Sequence, residues 1–508
     1  MIEGVPALLV VVPILAATLP LFLGVRYDRA GWSIGALTTT ALFALALWLA
    51  VGVYTGGTVI HQLGGFPRPI GIELVADRLS ALVVVLVAGI SAGVLAYTRR
   101  GGPRGNSFYS AYLLLVGGLL GLSLTGDVFN MFVFLEITGL TTYALIAKGN
   151  SGESAVAALK YLIIGTVGAS LYLIGVGFLF LATGTLNMID LATAIPAAEG
   201  GYANPLVLAA FAFVFVGFAI KVALFPLHTW QPDAYQRAPD GVTPMISALV
   251  STVSAYALFR LLYTVFTVEF LVATPYVTEI VVAFGSVSVL AGTTLAVIQT
   301  EIKRTLAYSS VSQFGLVVLA YGLANETALI GAIVHLLGHA IMKGGLFLAF
   351  GVVAAKTGAR TVDEYAGLAD RAPVAAGTFA VLGLALVGVP PSIGFVGKWF
   401  IAVGAVEAGI WPVAGVVFLS TMLTLAYVAR LLEKMYFTPS PARGAYTPES
   451  PLATDGGGDD TADPAPNAVS AGMLGVAVLA ALLAVALGFA GGVFQSMLGP
   501  FVEVVLNG

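Results

Sequence analysis

Long apolar stretches alternate with short polar connections along almost the whole chain. A helix that crosses a bilayer requires about 20 predominantly apolar residues, and by this measure the pattern predicts about fourteen spans. Each span is expected to be a helix because lipid offers the backbone no hydrogen bonds. The spans lie near residues 5–24, 31–54, 78–98, 108–126, 127–147, 159–183, 205–229, 242–265, 276–299, 304–324, 327–355, 374–409, 411–436 and 470–493.

Composition strengthens this interpretation. Of the 508 residues, 59% are hydrophobic and only 9% are charged, whereas a soluble domain carries about 25% charged residues. We therefore predict an all-α integral membrane protein embedded in the lipid bilayer. The net charge of −4 gives no reason to expect nucleic acid as a partner. Because the chain has no cysteine, disulfides, thiolate-bound zinc and Cys-bound iron–sulfur clusters are excluded within it.

Basic residues are unevenly distributed between the connections. Sixteen of the 22 Lys and Arg residues follow odd-numbered spans, and only Arg68, Arg78 and Arg260 follow even-numbered ones. Cytoplasmic loops are enriched in Lys and Arg, so we expect both termini to face outward from the cell membrane. The first span lacks the features of a cleaved signal peptide, and we expect it to be retained. Segment 438–470, rich in Pro, Gly and Asp, is predicted to be a flexible cytoplasmic linker.

Several ionisable side chains lie inside the predicted spans, where a charge costs about 2.5–3.5 kcal/mol on insertion scales. Three of them share one face of the eleventh span, because they are spaced at i, i+4 and i+8. The set comprises Glu136, Lys221, His335, His339, Lys343 and Lys398. Intramembrane charge of this kind is by default a sign of function.

This set allows two interpretations. A buried Glu–Lys pair can be a structural tie between helices, and a buried histidine can be a hydrogen-bonded core residue. The set as a whole favours ion or proton translocation, because it contains both signs of charge and titratable histidines on several spans. Burial favours neutral lysine and protonated glutamate, and a neighbouring charge reverses the preference. Such a row can pass a proton by switching partners.

Prolines interrupt two of the charged spans. Pro226 follows Lys221 by five residues, and Pro390 and Pro391 precede Lys398. Each proline removes a backbone donor, and a break at membrane depth is tolerated only where the backbone lines a cavity or is buried in protein. Interrupted helices at corresponding places in two halves are typical of transporters with internal repeats.

Several motifs resemble the antiporter-like subunits of respiratory complex I and of Mrp-type multisubunit cation/proton antiporters. They are "FLEITGLTTYALI", "LKYLIIGTVGASLYLIG", "GTLNMIDLA", "KVALFPLHTWQPDAYQRAP", "EIKRTLAYSSVSQFG", "HLLGHAIMKGGLFLAFG" and "GVPPSIGFVGKWF". The resemblance implies fourteen helices with two inverted five-helix repeats, spans 4–8 and 9–13, in which helices 7 and 12 are broken. The implied divisions are spans 1–3 (1–104), a first repeat (105–265), a second repeat (276–436), the cytoplasmic loop (437–469), and the last span with its tail (470–508).

The resemblance also implies roles for individual residues. Family positions in the fifth, seventh, eleventh and twelfth spans, and in the motif around the first break, match Glu136, Lys221, His335, His339, Lys343, Lys398 and His228. Two positions depart from the family pattern. Gln231 replaces the usual leucine, and Thr252 stands where many members carry a lysine in the eighth span. We expect ordered water to replace that lysine; the alternative is that the hydroxyls near Thr252 bond to carbonyls one turn back.

From the resemblance we expect a proton-translocating subunit of a Na⁺/H⁺ or K⁺/H⁺ antiporter, working with other membrane subunits and without a cofactor. The chain ends about fifteen residues after its last span, which resembles the Mrp D subunit. One alternative is a proton-pumping subunit of a complex I-like NADH:quinone oxidoreductase or membrane hydrogenase, the only case in which the chain would belong to an enzyme. The other is a transport-inactive scaffold, which Thr252 favours. Glu136 is expected within salt-bridge reach of Lys221.

Overall fold

The computed structural model describes residues 2–27, 30–149, 151–440 and 469–507. The predicted linker therefore lies almost entirely outside the described residues. Helices account for most of the fold. They are α1 (Val5–Ala16), α2 (Leu19–Gly24), α3 (Ala30–Gly56), α4 (Arg78–Gly101), α5 (Asn106–Leu124), α6 (Val128–Ala147), α7 (Gly152–Thr183), α8 (Met188–Ala197), α9 (Pro205–Val222), α10 (Trp230–Arg237), α11 (Thr243–Met245), α12 (Ser251–Arg260), α13 (Thr267–Ala273), α14 (Val277–Val297), α15 (Ile302–Gly322), α16 (Glu326–Thr357), α17 (Leu368–Arg371), α18 (Pro373–Val387), α19 (Ile393–Glu407), α20 (Trp411–Phe437), α21 (Ala471–Ala486) and α22 (Gly491–Asn507).

Within those ranges, twelve helical stretches are long and apolar enough to cross a membrane. This finding confirms the predicted all-α membrane protein. The predicted tenth span corresponds to α15, which is more polar, and the predicted twelfth span is divided between α18 and α19. The count of fourteen spans and the inverted repeats remain predictions.

Both breaks occur where the prolines indicate them. Helix α9 ends at Val222, and Ala223 adopts a left-handed conformation with φ 66°. The chain becomes helical again at Trp230, whose indole Nε1 donates to the Ile220 carbonyl oxygen (2.9 Å) and so satisfies one acceptor near the end of α9. In the second half, α18 ends at Val387 and α19 begins at Ile393.

The ion pairs divide the molecule into two polar faces. Six of the eight ion pairs among the described residues join connections that follow odd-numbered spans, and two join connections that follow even-numbered spans. The first group is Lys160–Asp233, Arg237–Glu153, Lys303–Asp240, Arg304–Asp233, Arg360–Asp240 and Lys434–Asp363, and the second is Arg68–Asp190 and Arg260–Asp77. No pair among them crosses from one group to the other, as expected if successive spans cross the membrane in alternate directions.

Two features were not predicted. Strands β1 (Val59–Gln62) and β2 (Glu73–Ala76) form an antiparallel hairpin in the connection after the second predicted span. In the eighth predicted span, π-helical segments at Ile246–Val250 and Leu261–Val265 flank α12. An apolar sequence can form either a π-helix or an α-helix, so hydrophobicity does not distinguish the two. Segments of π-helix often occur at functional sites.

The centre of the fold is formed by the eighth predicted span and by α15 and α16. The span Thr243–Val265 and helix α16 are buried almost completely. A helix that is buried on all sides lies inside the protein and has little contact with lipid. The polar side chains on these elements are therefore enclosed by protein.

Candidate functional site

Lys221 lies in the last turn of α9, beside the first break, and is partly buried. Its Nζ approaches two glycines, at 3.6 Å and 3.8 Å from the positions that a Cβ would take at Gly139 and Gly165. A small cavity adjoins it with about 10 Å³ open to the centres of water molecules, roughly the space that one water requires. Its lining is formed by Leu135, Thr138, Gly139, Tyr161, Gly165, Ile220, Lys221, Trp230, Val250 and Ser254.

Glu136 lies on α6 and is partly buried. Its charge acts on Lys221, but the ion pairs of the described residues do not include these two side chains. The expected direct salt bridge is therefore not formed in this structure. Nor does Lys221 Nζ make a hydrogen bond with any described residue. The pair is close enough for electrostatic attraction while the ammonium keeps all three of its donors available.

Lys398 lies in α19, just after the second break, and is 5% exposed. Its Nζ donates to the carbonyl oxygens of Leu386 and Val387, both at 3.0 Å. These carbonyls belong to the last turn of α18, where a helix end leaves acceptors without partners. The break thus supplies the hydrogen bonds that hold this lysine.

Lys343 and the two histidines occupy one face of α16, as their spacing predicts, and all three are fully buried. Lys343 Nζ donates to the Leu306 carbonyl oxygen (2.8 Å) and to Ser309 Oγ, both on α15. His339 contacts the ring of Phe314, with centroids 4.4 Å apart, and neither of its ring nitrogens has a hydrogen-bond partner among the described residues. This face of α16 therefore packs against α15.

His335 is placed by two neighbouring helices. Its Nε2 lies 2.9 Å from Gln313 Oε1 on α15, and its Nδ1 has no partner among the described residues. An amide oxygen only accepts, so in this arrangement Nε2 carries the hydrogen and Nδ1 is the basic nitrogen. On the other side, a Cβ at Gly397 would meet His335 Cβ at 2.6 Å. That close approach brings the residue next to Lys398 against the histidine.

His228 lies in the first break and is 6% exposed. Its ring stacks on Phe225 and contacts Tyr308 of α15, at centroid distances of 5.3 Å and 5.8 Å. Its Nδ1 makes no hydrogen bond within the described part of the chain. This histidine therefore joins the break of the first half to the helix that faces the second-half histidines.

Thr252 is fully buried on α12, and its Oγ1 has no hydrogen-bond partner in the described ranges. Two nearby hydroxyls behave differently. Ser247 Oγ donates to the Pro244 carbonyl (3.3 Å) and Ser254 Oγ to the Val250 carbonyl (2.8 Å). These two serines therefore bond to carbonyls of the preceding turn, which was the alternative to ordered water. The Thr252 hydroxyl makes no such bond.

Sequence reasoning missed the neutral partners of the site. Gln313 and Ser309 are fully buried and hydrogen-bonded. A glutamine or serine in an apolar stretch carries no charge and therefore does not stand out among the ionisable residues of the spans. An amide buried in a membrane helix needs partners for the same reason as a charge, and this rule would have found Gln313.

Electrostatics outside the spans stabilise the face on which the odd-numbered connections lie. Burial raises the pKa of Asp240, but Lys303 and Arg360 outweigh this effect and hold the pKa below its usual range. Asp233 shows the same balance, with its pKa lowered by Lys160 and Arg304. These carboxylates are therefore charged at neutral pH and connect four separate segments of the chain.

The broken helices and the enclosed row of protonatable groups define a multi-pass membrane protein with the features of an ion-translocating subunit. The chain belongs to the NADH:quinone oxidoreductase/Mrp antiporter transmembrane family, whose model matches residues 125–424. This confirms the resemblance that the motifs indicated.

Individual relatives come from two kinds of complex. The chain is 42% identical over 453 residues to the N subunit of the NADH-quinone oxidoreductase of Desulforudis audaxviator, covering 88% of this chain and 89% of the relative. It is 32% identical over 397 residues to the D subunit of the Na⁺/H⁺ antiporter of Bacillus subtilis, covering 77% and 79%. A chain in the structure of the Mrp complex from Dietzia sp. matches with a TM-score of 0.88 and 26% identity over 99% of both chains.

Proposed function

We propose that this chain is the proton-translocating membrane subunit of a multisubunit monovalent cation/H⁺ antiporter, exporting Na⁺ or K⁺. The observation that carries the proposal is a set of buried and partly buried protonatable side chains on α6, at the two breaks and on α16. Its members are Glu136, Lys221, His228, His335, His339, Lys343 and Lys398. The similarity to the D subunit of a Na⁺/H⁺ antiporter supports the choice of a cation/proton exchanger.

The first step of the mechanism concerns Lys221. When Glu136 is ionised, its charge favours the protonated ammonium of Lys221. The three donors of that ammonium make no hydrogen bond with a described residue, so a small movement of either side chain changes the pair without breaking other contacts. When the attraction weakens, the lysine releases its proton toward the centre of the protein.

The second step carries the proton across the centre. His335 Nδ1 and both nitrogens of His339 have no partner among the described residues. His335 Nδ1 and whichever nitrogen of the neutral His339 ring lacks a hydrogen can each accept a proton relayed by water. Lys398 receives it next to His335, and the carbonyl oxygens of Leu386 and Val387 stabilise the ammonium that forms. Lys343, held by α15, is the neighbouring group whose charge regulates the histidines.

Partners are required in this proposal. The oxidoreductase and antiporter relatives are both named as subunits of larger assemblies, so we place this chain among other membrane subunits in the cell membrane. Alone in liposomes it should not exchange Na⁺ for H⁺. Robust exchange by the isolated chain would contradict the dependence on partners.

Orientation can be tested with two single-cysteine variants of this cysteine-free chain. Ile70 and Asp363 are similarly exposed, at 88% and 85%, and lie on opposite polar faces. We propose that the face with the odd-numbered connections is cytoplasmic and that both termini face outward. An impermeant thiol reagent outside intact cells should label Ile70→Cys and spare Asp363→Cys. The opposite labelling would reverse the orientation.

The role of Lys221 is tested in inverted membrane vesicles that contain the assembled complex. Lys221→Ala and Glu136→Ala should each abolish cation-driven collapse of a pH gradient at unchanged complex levels. Lys356→Ala is the matched control, because it removes an exposed lysine at the end of α16. If Lys221→Ala retains parental transport, the chain is a scaffold and does not translocate protons.

A second candidate is a proton-pumping subunit of a redox-driven membrane complex. The relative at 42% identity, the N subunit of an NADH-quinone oxidoreductase, favours it. The same set of side chains serves either machine, and the source of energy distinguishes them. If NADH or another electron donor drives proton uptake into the vesicles and added Na⁺ or K⁺ has no effect, the redox assignment replaces the antiporter.

A further inference from the structure

Gln231 connects the first break to the eighth predicted span. It is the second residue of α10 and is fully buried. Its Nε2 donates to Tyr235 Oη (3.1 Å) and to Ser251 Oγ (3.2 Å) on α12. The ring of Tyr235 in turn packs edge-on against Phe347 of α16, with centroids 5.8 Å apart. The amide therefore lies in a chain of contacts that joins α10 to α12 and, through the ring of Tyr235, to α16.

Two oxygens at this point have no hydrogen-bond partner among the described residues. Gln231 Oε1 and Thr252 Oγ1 are both buried, and neither makes a hydrogen bond within the described residues. Gln231 reaches α12 at Ser251, one residue before Thr252. A buried acceptor that is left unsatisfied is unfavourable, and a small polar ligand could satisfy each of these two atoms.

The surrounding elements place these oxygens between Lys221 and α16. The cavity beside Lys221 is lined by Trp230, which precedes Gln231, and by Val250, which precedes Ser251. Ser254, three residues after Ser251, also lines it. On the other side, α12 and the π-helical segment Ile246–Val250 pack against α16. A ligand held by Gln231 and Thr252 would therefore lie between Lys221 and the histidine face of α16.

We propose that Gln231 and Thr252 bind a water molecule that carries the proton from Lys221 toward α16. This inference rests on the proposed translocation function and adds Gln231 as a positioning residue. Neither side chain can hold an excess proton at neutral pH, but amides and hydroxyls both donate and accept. A buried water usually makes two to four hydrogen bonds, and the two unpartnered oxygens supply two of them.

A purely structural role for Gln231 makes a different prediction. If the amide only ties α10 to α12, Ser251→Ala should do as much damage as loss of the amide, because it breaks the same bond. If the amide holds water, Ser251→Ala should matter less, since it leaves Gln231 Oε1 and Thr252 Oγ1 in place.

The experiment measures proton transport per assembled complex in inverted vesicles, together with the melting temperature of the purified complex. Gln231→Met keeps the length of the side chain and removes the amide, and Thr252→Val keeps the shape and removes the hydroxyl. Each should lower the transport rate about tenfold, as expected for one lost hydrogen bond to a buried ligand. Thr252→Val should leave the melting temperature unchanged, whereas Gln231→Met also removes the bonds to Tyr235 and Ser251 and should lower it. The double variant should be no slower than the slower single variant, because both serve one water.

Ser247→Ala is the matched control, since it removes a buried hydroxyl of the same span that already bonds within its own turn. It should transport at the parental rate. Parental rates in Thr252→Val, or an equal loss of rate and melting temperature in Gln231→Met and Ser251→Ala, would overturn the inference. Lys221→Ala is run in parallel: if it too transports normally, the proposed function fails, whereas its inactivity beside a normal Thr252→Val rejects the water site alone.

Discussion

The two lysines beside the two breaks are held in different ways. Lys221 precedes its break, is partly buried and makes no hydrogen bond with a described residue, and the charge that acts on it is the carboxylate of Glu136. Lys398 follows its break, is almost fully buried, and donates to two carbonyl oxygens. The same local sequence feature, a lysine near a proline break, therefore occurs in two distinct side-chain environments.

The difference indicates that the two lysines serve different steps of proton transfer. A carboxylate can be protonated or can move away, so the electrostatic support of Lys221 can be switched on and off. The carbonyl oxygens that hold Lys398 cannot change charge, and no described ion pair includes Lys398 or Lys343. The first half is therefore suited to control proton release, and the second half to receive the proton and pass it on.

The largest effect is expected at Lys398. Lys398→Met keeps the apolar length of the side chain and removes the group that accepts the proton, so transport by the assembled complex should fall to background. The Leu386 and Val387 carbonyls would lose their donor, and the melting temperature should fall as well. Normal transport in Lys398→Met vesicles would remove the second half from the path.

A somewhat smaller effect is expected at the control point of the first half. Glu136→Gln keeps the shape and removes the charge that favours protonated Lys221, so the rate should fall by about tenfold or more, or about 1.4 kcal/mol for each factor of ten. Because Glu136 forms no ion pair with Lys221, the melting temperature should change little. An unchanged rate would mean that the first half is not controlled by this carboxylate.

A moderate effect is expected where α15 orients the first histidine. Gln313→Leu removes the acceptor for His335 Nε2, so the ring can rotate and the rate should fall about fivefold, equivalent to one hydrogen bond of roughly 1 kcal/mol. Ser310→Ala is the control, because its hydroxyl bonds within its own helix. Equal rates for the two variants would show that the orientation of His335 is unimportant.

The smallest effect on transport is expected outside the spans, where a substitution acts on the stability of the fold. Asp240 has a lowered pKa, so the stability it contributes is present above the usual carboxyl range and is lost as the pH falls through its folded-state pKa. Asp240→Asn should therefore lower the melting temperature at neutral pH, by about 1–3 kcal/mol of unfolding free energy, because the buried Lys303 loses its carboxylate partner. The difference should shrink in acid. A pH-independent difference would contradict a role for this charge.

Sequence alone predicted the membrane helices and both breaks, because hydropathy and proline act locally. It also placed His335, His339 and Lys343 on one face, since that relation follows from helix geometry alone. The contacts of that face with Leu306, Ser309 and Gln313 depend on how α15 packs against α16, which no local pattern encodes.

The errors have physical causes too. Direct contact between Glu136 and Lys221 is a natural expectation because opposite charges in a membrane attract, but the sequence does not fix the distance between α6 and α9. The π segments around α12 escape sequence analysis because they are as apolar as an α-helix. The sequence shows that Thr252 departs from the family pattern. The hydrogen bond from Gln231 to Ser251, the residue before Thr252, becomes visible only in three dimensions.

The central claim is that both lysines serve one continuous proton path. The most direct measurement compares transport by Lys221→Ala, Lys398→Ala and the double variant in vesicles that contain equal amounts of assembled complex. A single path predicts that each single variant is as inactive as the double variant. If each single variant keeps about half of the parental rate and only the double variant is inactive, the two halves transport protons independently, and the account is contradicted.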